Sequence, residues 1–304
     1  EIPPSVMENT AFAAPYEAVT EMYSRPKIGS LDPSFMMAPW HFIFFGMMLS
    51  DAGYGLLLTI LLFIVLKVLK PEDNAGKLVT VIFLGSISTI FWGAMFGGWF
   101  GLEFNPILLS PMNEPLKMLA LCFGLGAAHI ILGVCMKMYL EIKRGQIWNA
   151  IFDQLSWLVI FAGLGLMAFM PDTQVGKYLA LSGMTVIILT GGREKKNIFR
   201  RLLSGVLSLY NISGYFSDLL SYSRLFALGL STGVIAMVIN TIAHMLWQAG
   251  PVGIVIAIIF LLLGHTFNIA VNIMGAFVHT SRLQYIEFFG KFFEPGGRAF
   301  KPLA

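Results

Sequence analysis

Seven long apolar runs most strongly constrain how this chain can fold. They occupy residues 34–69, 78–100, 116–140, 151–170, 176–190, 202–247 and 252–293. Each run is bounded by charged residues, proline or glycine. Most of them reach the roughly 20 residues that a helix needs to cross the hydrocarbon core of a bilayer. The pattern predicts an all-α membrane protein.

The composition supports the same class. The chain is 57% hydrophobic and 12% charged, whereas a soluble domain carries about 25% charged residues. So few charges cannot cover a water-facing surface, which excludes a soluble globular domain and predicts contact with membrane lipid. The net charge of +3 is small and its cations cluster in loops, so we expect no nucleic-acid partner.

The first apolar run is too long for one ordinary membrane helix. Its 36 residues would form a helix of roughly 54 Å, against a hydrocarbon core of about 30 Å. Residues Ser50–Gly55 in its middle form a turn-prone cluster with a carboxylate. We therefore predict a hairpin of two helices, Pro33–Leu49 and Tyr54–Leu69, and eight membrane helices in all. The alternative is one tilted helix, seven spans and an external N-terminus.

The distribution of positive charge predicts the topology. Four basic sets separate the apolar runs: Lys67, Lys70 and Lys77; Lys137, Lys143 and Arg144; Arg193, Lys195, Lys196, Arg200 and Arg201; and Lys291, Arg298 and Lys301. The positive-inside rule places these sets, and both termini, in the cytoplasm of a multi-pass protein of the cell membrane. The acids Glu103, Glu114 and Asp172 mark the external loops.

We divide the chain accordingly into three parts. Residues 1–32 contain several prolines, and we predict that they form a connector from an upstream cytoplasmic domain. Residues 33–293 form the eight-helix membrane domain, and residues 294–304 a cytoplasmic C-terminal tail. Because the chain opens on Glu1, we expect it to be a fragment of a longer protein.

The last two runs predict unusual helices with polar stripes. At 46 and 42 residues they would be about 69 and 63 Å long if straight, so they must tilt strongly or curve. Residues spaced by three or four positions share one helix face. On the last helix such a face carries His265, Asn268, Asn272, Gly275, His279 and Arg282. The preceding helix carries Asn211, Gly214, Ser217, Asp218, Ser221 and Arg224.

Arg224 is the residue that lipid tolerates least. Asp218 and Arg224 are the only full charges between Leu202 and Trp247, and an arginine at the middle of a membrane helix costs roughly 2.5–3.5 kcal/mol on the mildest scale. The serines, asparagines and histidines of the stripes have a plainer explanation, because such groups commonly join membrane helices by hydrogen bonds. Intramembrane charges usually mark ion paths, so we expect Arg224 to be functional. Arg282 is closer to the predicted cytoplasmic edge, where it could simply extend to water.

Catalytic and metal sites are not predicted. Cys122 and Cys135 lie 13 residues apart on one predicted helix, roughly 20 Å and beyond disulfide reach. The chain has no C-x-x-C or His-x-x-His spacing, no nucleophile–base constellation and no phosphate-binding glycine loop. We therefore expect no catalytic residue, bound metal or cofactor on this chain.

Three segments carry a resemblance to a known family. They are Asp32-Pro33-Ser34 followed by FFGMMLSDAGYG, then SYSRLFALGLS, and AFVHTSRLQYIEFFGKFF near the end. In these segments, and over about residues 1–301, the chain resembles the membrane domain of subunit a of V-type and A-type rotary ATPases, called subunit I in bacteria. The family's eight membrane helices, with the last two long and strongly tilted, agree with the predicted hairpin. Its large cytoplasmic N-terminal domain is absent here.

The resemblance implies a non-catalytic stator role in an ATP-driven pump. The family's subunit faces a rotating ring of proteolipid (c or K) subunits, and two offset half-channels lead H⁺ or Na⁺ to ring carboxylates. The other implied partners are the chain's own N-terminal cytoplasmic domain, the peripheral stalk (E/G-type) subunits, the central-stalk d subunit and the ATP-hydrolysing soluble sector. The choice between H⁺ and Na⁺ is set mostly by the ring, which is another chain.

The resemblance also implies roles for individual residues. The family's essential arginine matches Arg224, and its second arginine matches Arg282. Its channel-lining acid in the first hairpin matches Asp51, and positions that match Asp218, His279 and Glu287 often hold polar or titratable groups. With Asn272, His265 and Ser221 from the stripes, these residues are the half-channel candidates. The chain departs from eukaryotic members at Tyr210 and Asn272, where they place glutamates.

The chemistry of arginine explains such a role independently. A ring carboxylate must release its ion when it leaves lipid for water, and a fixed cation favours the ionised carboxylate. Arginine keeps its charge when buried, whereas lysine can lose its proton. The rival function is a secondary transporter in which Arg224 binds an anionic substrate. That class usually shows internal repeats and broken helices, and the sequence shows no repeat.

Overall fold

A computed structural model describes residues 4–5, 7–27, 29–170, 174–191 and 198–299, and these are predominantly helical. The predicted all-α class is confirmed for this part of the chain. Several residues of the topology argument lie outside the described ranges, among them Asp172, Arg193 and Lys301. The last five residues of the predicted C-terminal tail also lie outside them.

The helices follow the apolar runs. They are α1 (Tyr16–Tyr23), α2 (Ser34–Leu49), α3 (Ala52–Val68), α4 (Asp73–Phe96), α5 (Pro115–Lys143), α6 (Ile147–Asn149), α7 (Ser156–Phe169), α8 (Val175–Thr190), α9 (Ile198–Leu209), α10 (Asn211–Ser221), α11 (Ser223–Trp247), α12 (Pro251–Arg282) and α13 (Phe289–Phe292). Two π-helical segments, Ala150–Leu155 and Leu283–Phe288, precede α7 and α13. Strand β1 (Pro4–Ser5) pairs in parallel with β4 (Arg298–Ala299), and β2 (Gly98–Trp99) pairs antiparallel with β3 (Leu102–Glu103).

The predicted hairpin in the first apolar run is confirmed as two helices. Helix α2 ends at Leu49, and α3 begins at Ala52. Ser50 between them has a left-handed backbone with φ of 39°, which reverses the chain. Asp51 then caps α3, because its side chain accepts a hydrogen bond from the backbone N–H of Tyr54. The single long helix was the wrong alternative.

Five of the described helical stretches are long and apolar enough to cross a membrane. They are Asp73–Phe96, Pro115–Lys143, Ile147–Met167, Leu203–Trp247 and Pro251–Phe292. Three shorter apolar helices, Ser34–Leu49, Ala52–Val68 and Val175–Thr190, coincide with the other three predicted spans. The eight predicted spans therefore correspond to five long and three short apolar stretches.

The predicted continuous helix over 202–247 is interrupted at two tyrosines. Single-residue breaks at Tyr210 and Tyr222 separate α9, α10 and α11. At each break an i→i+3 backbone hydrogen bond tightens the chain, from Ser213 N to Tyr210 O and from Leu225 N to Tyr222 O. The predicted polar stripe on this helix is therefore broken between Ser221 and Arg224.

The chain divides into two compact units. The first comprises residues 1–124, 222–286 and 294–304. In it α3 packs along α4, α2 packs on α4, α11 and α12, and α11 pairs with α12. Gly93 of α4 allows the closest approach, since a Cβ there would collide with the backbone of Asp51 and Ala52. Helix α4 thereby supports the start of α3.

The second unit comprises residues 125–221 and 287–293. Helix α7 packs against α8, and α8 against α9. Its apolar core is formed by Trp157, Ile160 and Ile187, with Phe161 and Tyr215 against them. This core holds α10, which carries Tyr215 and Asp218, against α7.

Candidate functional site

Helices α11 and α12 run antiparallel, and hydrogen bonds fix their register. Asn240 of α11 bonds to His265 of α12 at 3.1 Å, and the backbone carbonyl of Thr232 accepts from Asn268 at 3.3 Å. As the residue number falls along α11, it rises along α12. The beginning of α11 and the end of α12 therefore lie at the same end of the pair.

Two arginines and a histidine come together at that end. Arg224 is the second residue of α11, and Arg282 is the last residue of α12. Both lie at the same end of the antiparallel pair as His279, one helical turn before Arg282. Arg282 is exposed, whereas Arg224 and His279 are half-buried.

The predicted polar stripe on α12 divides into a closed part and an open part. His265, Asn268 and Asn272 make hydrogen bonds inside the first unit, and the two asparagines are 1% and 6% exposed. Gly275 is loosely packed, because a Cβ there would meet only the side chain of Leu228, at 3.8 Å. Toward Arg282, whose side chain is exposed, the stripe is less covered than at the two asparagines.

The closed part belongs to a hydrogen-bonded chain of side chains that links α3, α11, α12 and the β2–β3 turn. Its bonds run from Asn272 Nδ2 to Asn268 Oδ1 (2.6 Å), from Asn268 Nδ2 to Tyr54 Oη (3.0 Å), between Tyr54 Oη and His265 Nδ1 (2.6 Å), between His265 Nε2 and Asn240 Oδ1 (3.1 Å), and from Asn240 Nδ2 to the Phe100 carbonyl (2.7 Å). We call it the Asn272–Phe100 chain.

Donor and acceptor chemistry gives this chain a direction. Tyr54 Oη already accepts from Asn268, so its own proton is directed at His265 Nδ1. His265 then carries its proton on Nε2 and donates it to Asn240. Carboxamides do not give up protons at ordinary pH, so only the Tyr54–His265 pair can exchange one. The Asn272–Phe100 chain therefore holds the helices in fixed polar contact and does not conduct protons from end to end.

Asp51 is tied to the backbone by both of its oxygens. Oδ1 accepts from the N–H groups of Tyr54 (3.0 Å) and Phe100 (2.9 Å), and Oδ2 accepts from Gly101 (3.0 Å). Phe100 and Gly101 have φ of 50° and 74°, the left-handed pair that a two-residue hairpin turn requires. The carboxylate, 2% exposed, therefore secures the β2–β3 turn to the start of α3. A cavity of about 40 Å³ borders Asp51 and Glu103.

In the second unit, Asp218 forms an ion pair with Lys291, whose ammonium also lies over the ring of Tyr215 at 4.2 Å. Lys291 of this pair lines an open cavity of about 550 Å³. The cavity is lined in part by polar side chains, namely Lys137, Gln154, Tyr210, Asn211, Ser213, Ser217 and Lys291. The size and the lining suit a water-filled pocket.

Two remaining candidates have local environments of their own. The Ser221 hydroxyl donates to the backbone carbonyl of Ser217 within α10, at 3.2 Å. Glu287 lies in the π-helical segment before α13 and is 2% exposed. Among the described residues, no three His, Cys, Asp or Glu side chains cluster as metal ligands would.

The sequence prediction missed several members of these sites. Tyr54 lies in the turn cluster quoted for Asp51, but its spacing does not show which way the ring points. Asn240 lies outside the predicted stripe. The sequence identifies Lys291 only by its positive charge, as a marker of membrane topology. Their roles depend on pairings between residues far apart in the chain, such as Tyr54 with His265 and Asp218 with Lys291.

The comparisons with known proteins point to one family. A family model described as the V-type ATPase 116kDa subunit family matches residues 211–304. The chain is 34% identical to A-type ATP synthase subunit I of Methanocaldococcus jannaschii, over 98% of this chain and 49% of that protein.

Two further relatives agree. A-type ATP synthase subunit I of Pyrococcus horikoshii is 35% identical over 99% of this chain and 47% of its own length. V-type ATP synthase subunit I of Borreliella burgdorferi is 30% identical over 84% of this chain and 46% of its own. The chain spans about half the length of the curated relatives it matches.

Proposed function

Because this chain belongs to the V-type ATPase 116kDa subunit family, we propose that it is the membrane stator subunit of a rotary ATPase. In this role its eight apolar helices cross the cell membrane, with both termini in the cytoplasm. It couples rotation of a proteolipid ring to the transport of H⁺ or Na⁺. The observation that carries the proposal is the antiparallel register, which brings Arg224, His279 and Arg282 to one end of two long apolar helices.

The arginines act on the ring's ion-binding carboxylates. Each ring carboxylate enters the interface with its ion bound, and a permanent positive charge favours the ionised form. The ion then leaves, and the carboxylate stays beside the cation until rotation carries it on. Arg224 suits this role because it is half-buried and keeps its proton. The same charge repels cations that would leak past the ring.

The ring docks on the exposed side of α12. The stretch that contains α12, Pro251–Phe292, is the least buried of the five long apolar stretches. Large apolar side chains such as Leu262, Phe267 and Met274 project from it. Gly275, where a Cβ would meet only the Leu228 side chain at 3.8 Å, has no side chain of its own and lets a neighbouring helix approach closely beside His279 and Arg282.

Two separate polar regions supply the half-channels. On the cytoplasmic side, the path is the cavity of the second unit, whose lining residue Lys291 pairs with Asp218. On the external side, the region of Asp51 and the Tyr54–His265 pair borders the path. Asn272 and Tyr210 take the positions of the glutamates that eukaryotic members carry, so these two positions hold polar but uncharged groups.

The remaining partners follow from the stator role. The connector joins this membrane domain to a cytoplasmic domain that the peripheral stalk holds, while the central-stalk d subunit turns with the ring. ATP is hydrolysed in the soluble sector of the complex. This chain itself contributes no catalytic residue to that reaction.

Thiol accessibility tests the half-channels. We expect cysteines that replace Asp218 or His279 in the whole complex to react with a membrane-impermeant thiol reagent, because the proposed half-channels bring water to both positions. A cysteine at Leu262, an exposed apolar position on α12, is the matched control and should be protected by lipid or by the ring. Equal protection of all three cysteines would contradict the proposal, and so would purification of the complex without a proteolipid ring.

A further inference from the structure

The end of α12 is joined to residues 7–27, which we call the connector arm. Tyr285 lies three residues after Arg282, in the π-helical segment. Its hydroxyl donates to the backbone carbonyl of Val19 at 2.6 Å, and its ring stacks on that of Tyr23 at 5.0 Å. Val19 and Tyr23 belong to α1, so one helix of the arm holds the last turn of the helix that carries Arg282.

Backbone hydrogen bonds join the arm to the chain beyond α13. The N–H of Lys27 donates to the carbonyl of Glu294 at 3.1 Å, and the N–H of Gly297 donates to the carbonyl of Arg25 at 3.1 Å. Strands β1 and β4 extend this pairing in parallel. Backbone hydrogen bonds thus join the two ends of the described chain, and such bonds depend little on side-chain identity.

A third set of contacts fixes the arm to the membrane helices. Glu17 is 6% exposed, forms an ion pair with Lys77 of α4 at 2.6 Å, and accepts from Asn9 at 2.9 Å. Asn9 also donates to Asp32 at 2.7 Å, and Asp32 accepts from the backbone N–H of Ser34 at the start of α2. The arm is therefore attached at one end to α2 and α4 and at the other to the end of α12.

Such a double attachment resists movement of the end of α12. A π-helical segment is wider than an α-helix and lacks its regular i→i+4 bonds. Alone, it would let the turn that carries Arg282 shift. Tyr285 lies inside that segment and is bonded to α1, so the contact acts where the helix is weakest. Leu283 and Gln284 of the segment are fully buried, whereas Arg282 and Ile286 are exposed, so the bond from Tyr285 adds a second support near Arg282.

We propose that the connector arm is a brace that keeps Arg282 in register while the ring moves past it, with Tyr285 as its positioning residue. The proposal rests on the stator function proposed above. Each passing ring carboxylate attracts the guanidinium and pulls it along the direction of rotation. If Arg282 follows, ions slip without being transported. A misplacement of about 1 Å at a site that must be aligned can cost about a hundredfold in rate.

The test measures ions transported per ATP hydrolysed by the whole complex in vesicles. Tyr285→Phe keeps the ring that stacks on Tyr23 but loses the bond to Val19. We expect it to assemble and hydrolyse ATP normally, with the coupling ratio about fivefold lower, which corresponds to about 1 kcal/mol for the lost hydrogen bond. Tyr178→Phe, at an exposed tyrosine of α8, is the matched control and should leave the ratio unchanged.

A second pair of variants loosens the other end of the brace. Lys77→Met removes the ion pair with Glu17, and we expect it to lower the coupling ratio in the same direction. Lys77→Arg keeps the charge and should restore the wild-type ratio. These variants lie outside α12, so they decide the question even if Tyr285→Phe fails to assemble.

The inference is overturned if Lys77→Met and an assembled Tyr285→Phe complex both transport as many ions per ATP as the wild type. In that case the stator role still stands, provided that Arg224 variants stop transport. Wild-type transport by an Arg224→Ala complex would instead remove the function on which the brace depends.

Discussion

Replacing Arg224 with lysine or alanine is expected to abolish ATP-driven ion transport while leaving the complex assembled. Alanine removes the only charge on α11 that can act on a passing ring carboxylate at this end of the helix pair, so the carboxylate keeps its ion. Lysine restores a charge but can lose its proton in an apolar interface, whereas arginine does not. Transport should fall to the background of empty vesicles in both variants.

The measurement is acidification, or sodium uptake, by vesicles that contain the purified complex. Arg144→Ala, at an exposed arginine beyond the end of α5, is the matched control and should transport normally. Retention of the ring and the stalk subunits is the measure of intact assembly. We expect both variants to retain them, because Arg224 is half-buried and is not part of an apolar core. Transport at the wild-type rate by the Arg224→Ala complex would contradict the proposed action of Arg224 on the ring carboxylates.

Asp51→Ala is expected to prevent stable assembly, which is a different kind of loss. The change leaves three backbone N–H groups, those of Tyr54, Phe100 and Gly101, without their acceptor; the bond to Tyr54 is buried and the other two are partly buried. A buried donor left unsatisfied costs about 1–3 kcal/mol and a partly exposed one less, so the loss is a substantial part of the stability margin of many domains. The turn at Phe100 should open, and Asn240 would lose its carbonyl partner with it.

Asp51→Asn separates this structural role from a role in the half-channel. One amide oxygen can still accept from Tyr54 and Phe100, but the amide NH₂ then faces the N–H of Gly101. We expect the Asn variant to assemble with a lower unfolding temperature, whereas the Ala variant does not assemble. Glu103→Gln changes an exposed carboxylate of the same hairpin and is the control. An Asp51→Ala complex with wild-type thermal stability would contradict the proposed structural role of Asp51 in securing the β2–β3 turn.

Local sequence signals predicted most of the helices correctly. The apolar runs end at charged, proline or glycine positions, and the Ser50–Gly55 cluster marks the hairpin, because a turn and a capping carboxylate can be read from neighbouring residues. The breaks at Tyr210 and Tyr222 escaped prediction. Neither position carries proline or glycine, and each break consists of a tightened backbone turn inside an apolar stretch.

The candidate site was predictable only as far as helical spacing reaches. Spacing of three and four residues placed His279 and Arg282 on one face, and the resemblance matched Arg224 with the family's essential arginine. It did not find the partners that determine what each side chain can do. Asp218 meets Lys291, 73 residues away, and Asp51 meets the Phe100 turn, because the tertiary packing of each unit brings these segments together.

The most direct measurement is a density map of the whole complex in a lipid bilayer. If Arg224 acts on the ring as proposed, its guanidinium lies within about 4 Å of a ring carboxylate in at least one rotational state, the distance at which such charges interact strongly. A map in which Arg224 faces lipid, or only side chains of its own chain, in every rotational state would contradict it.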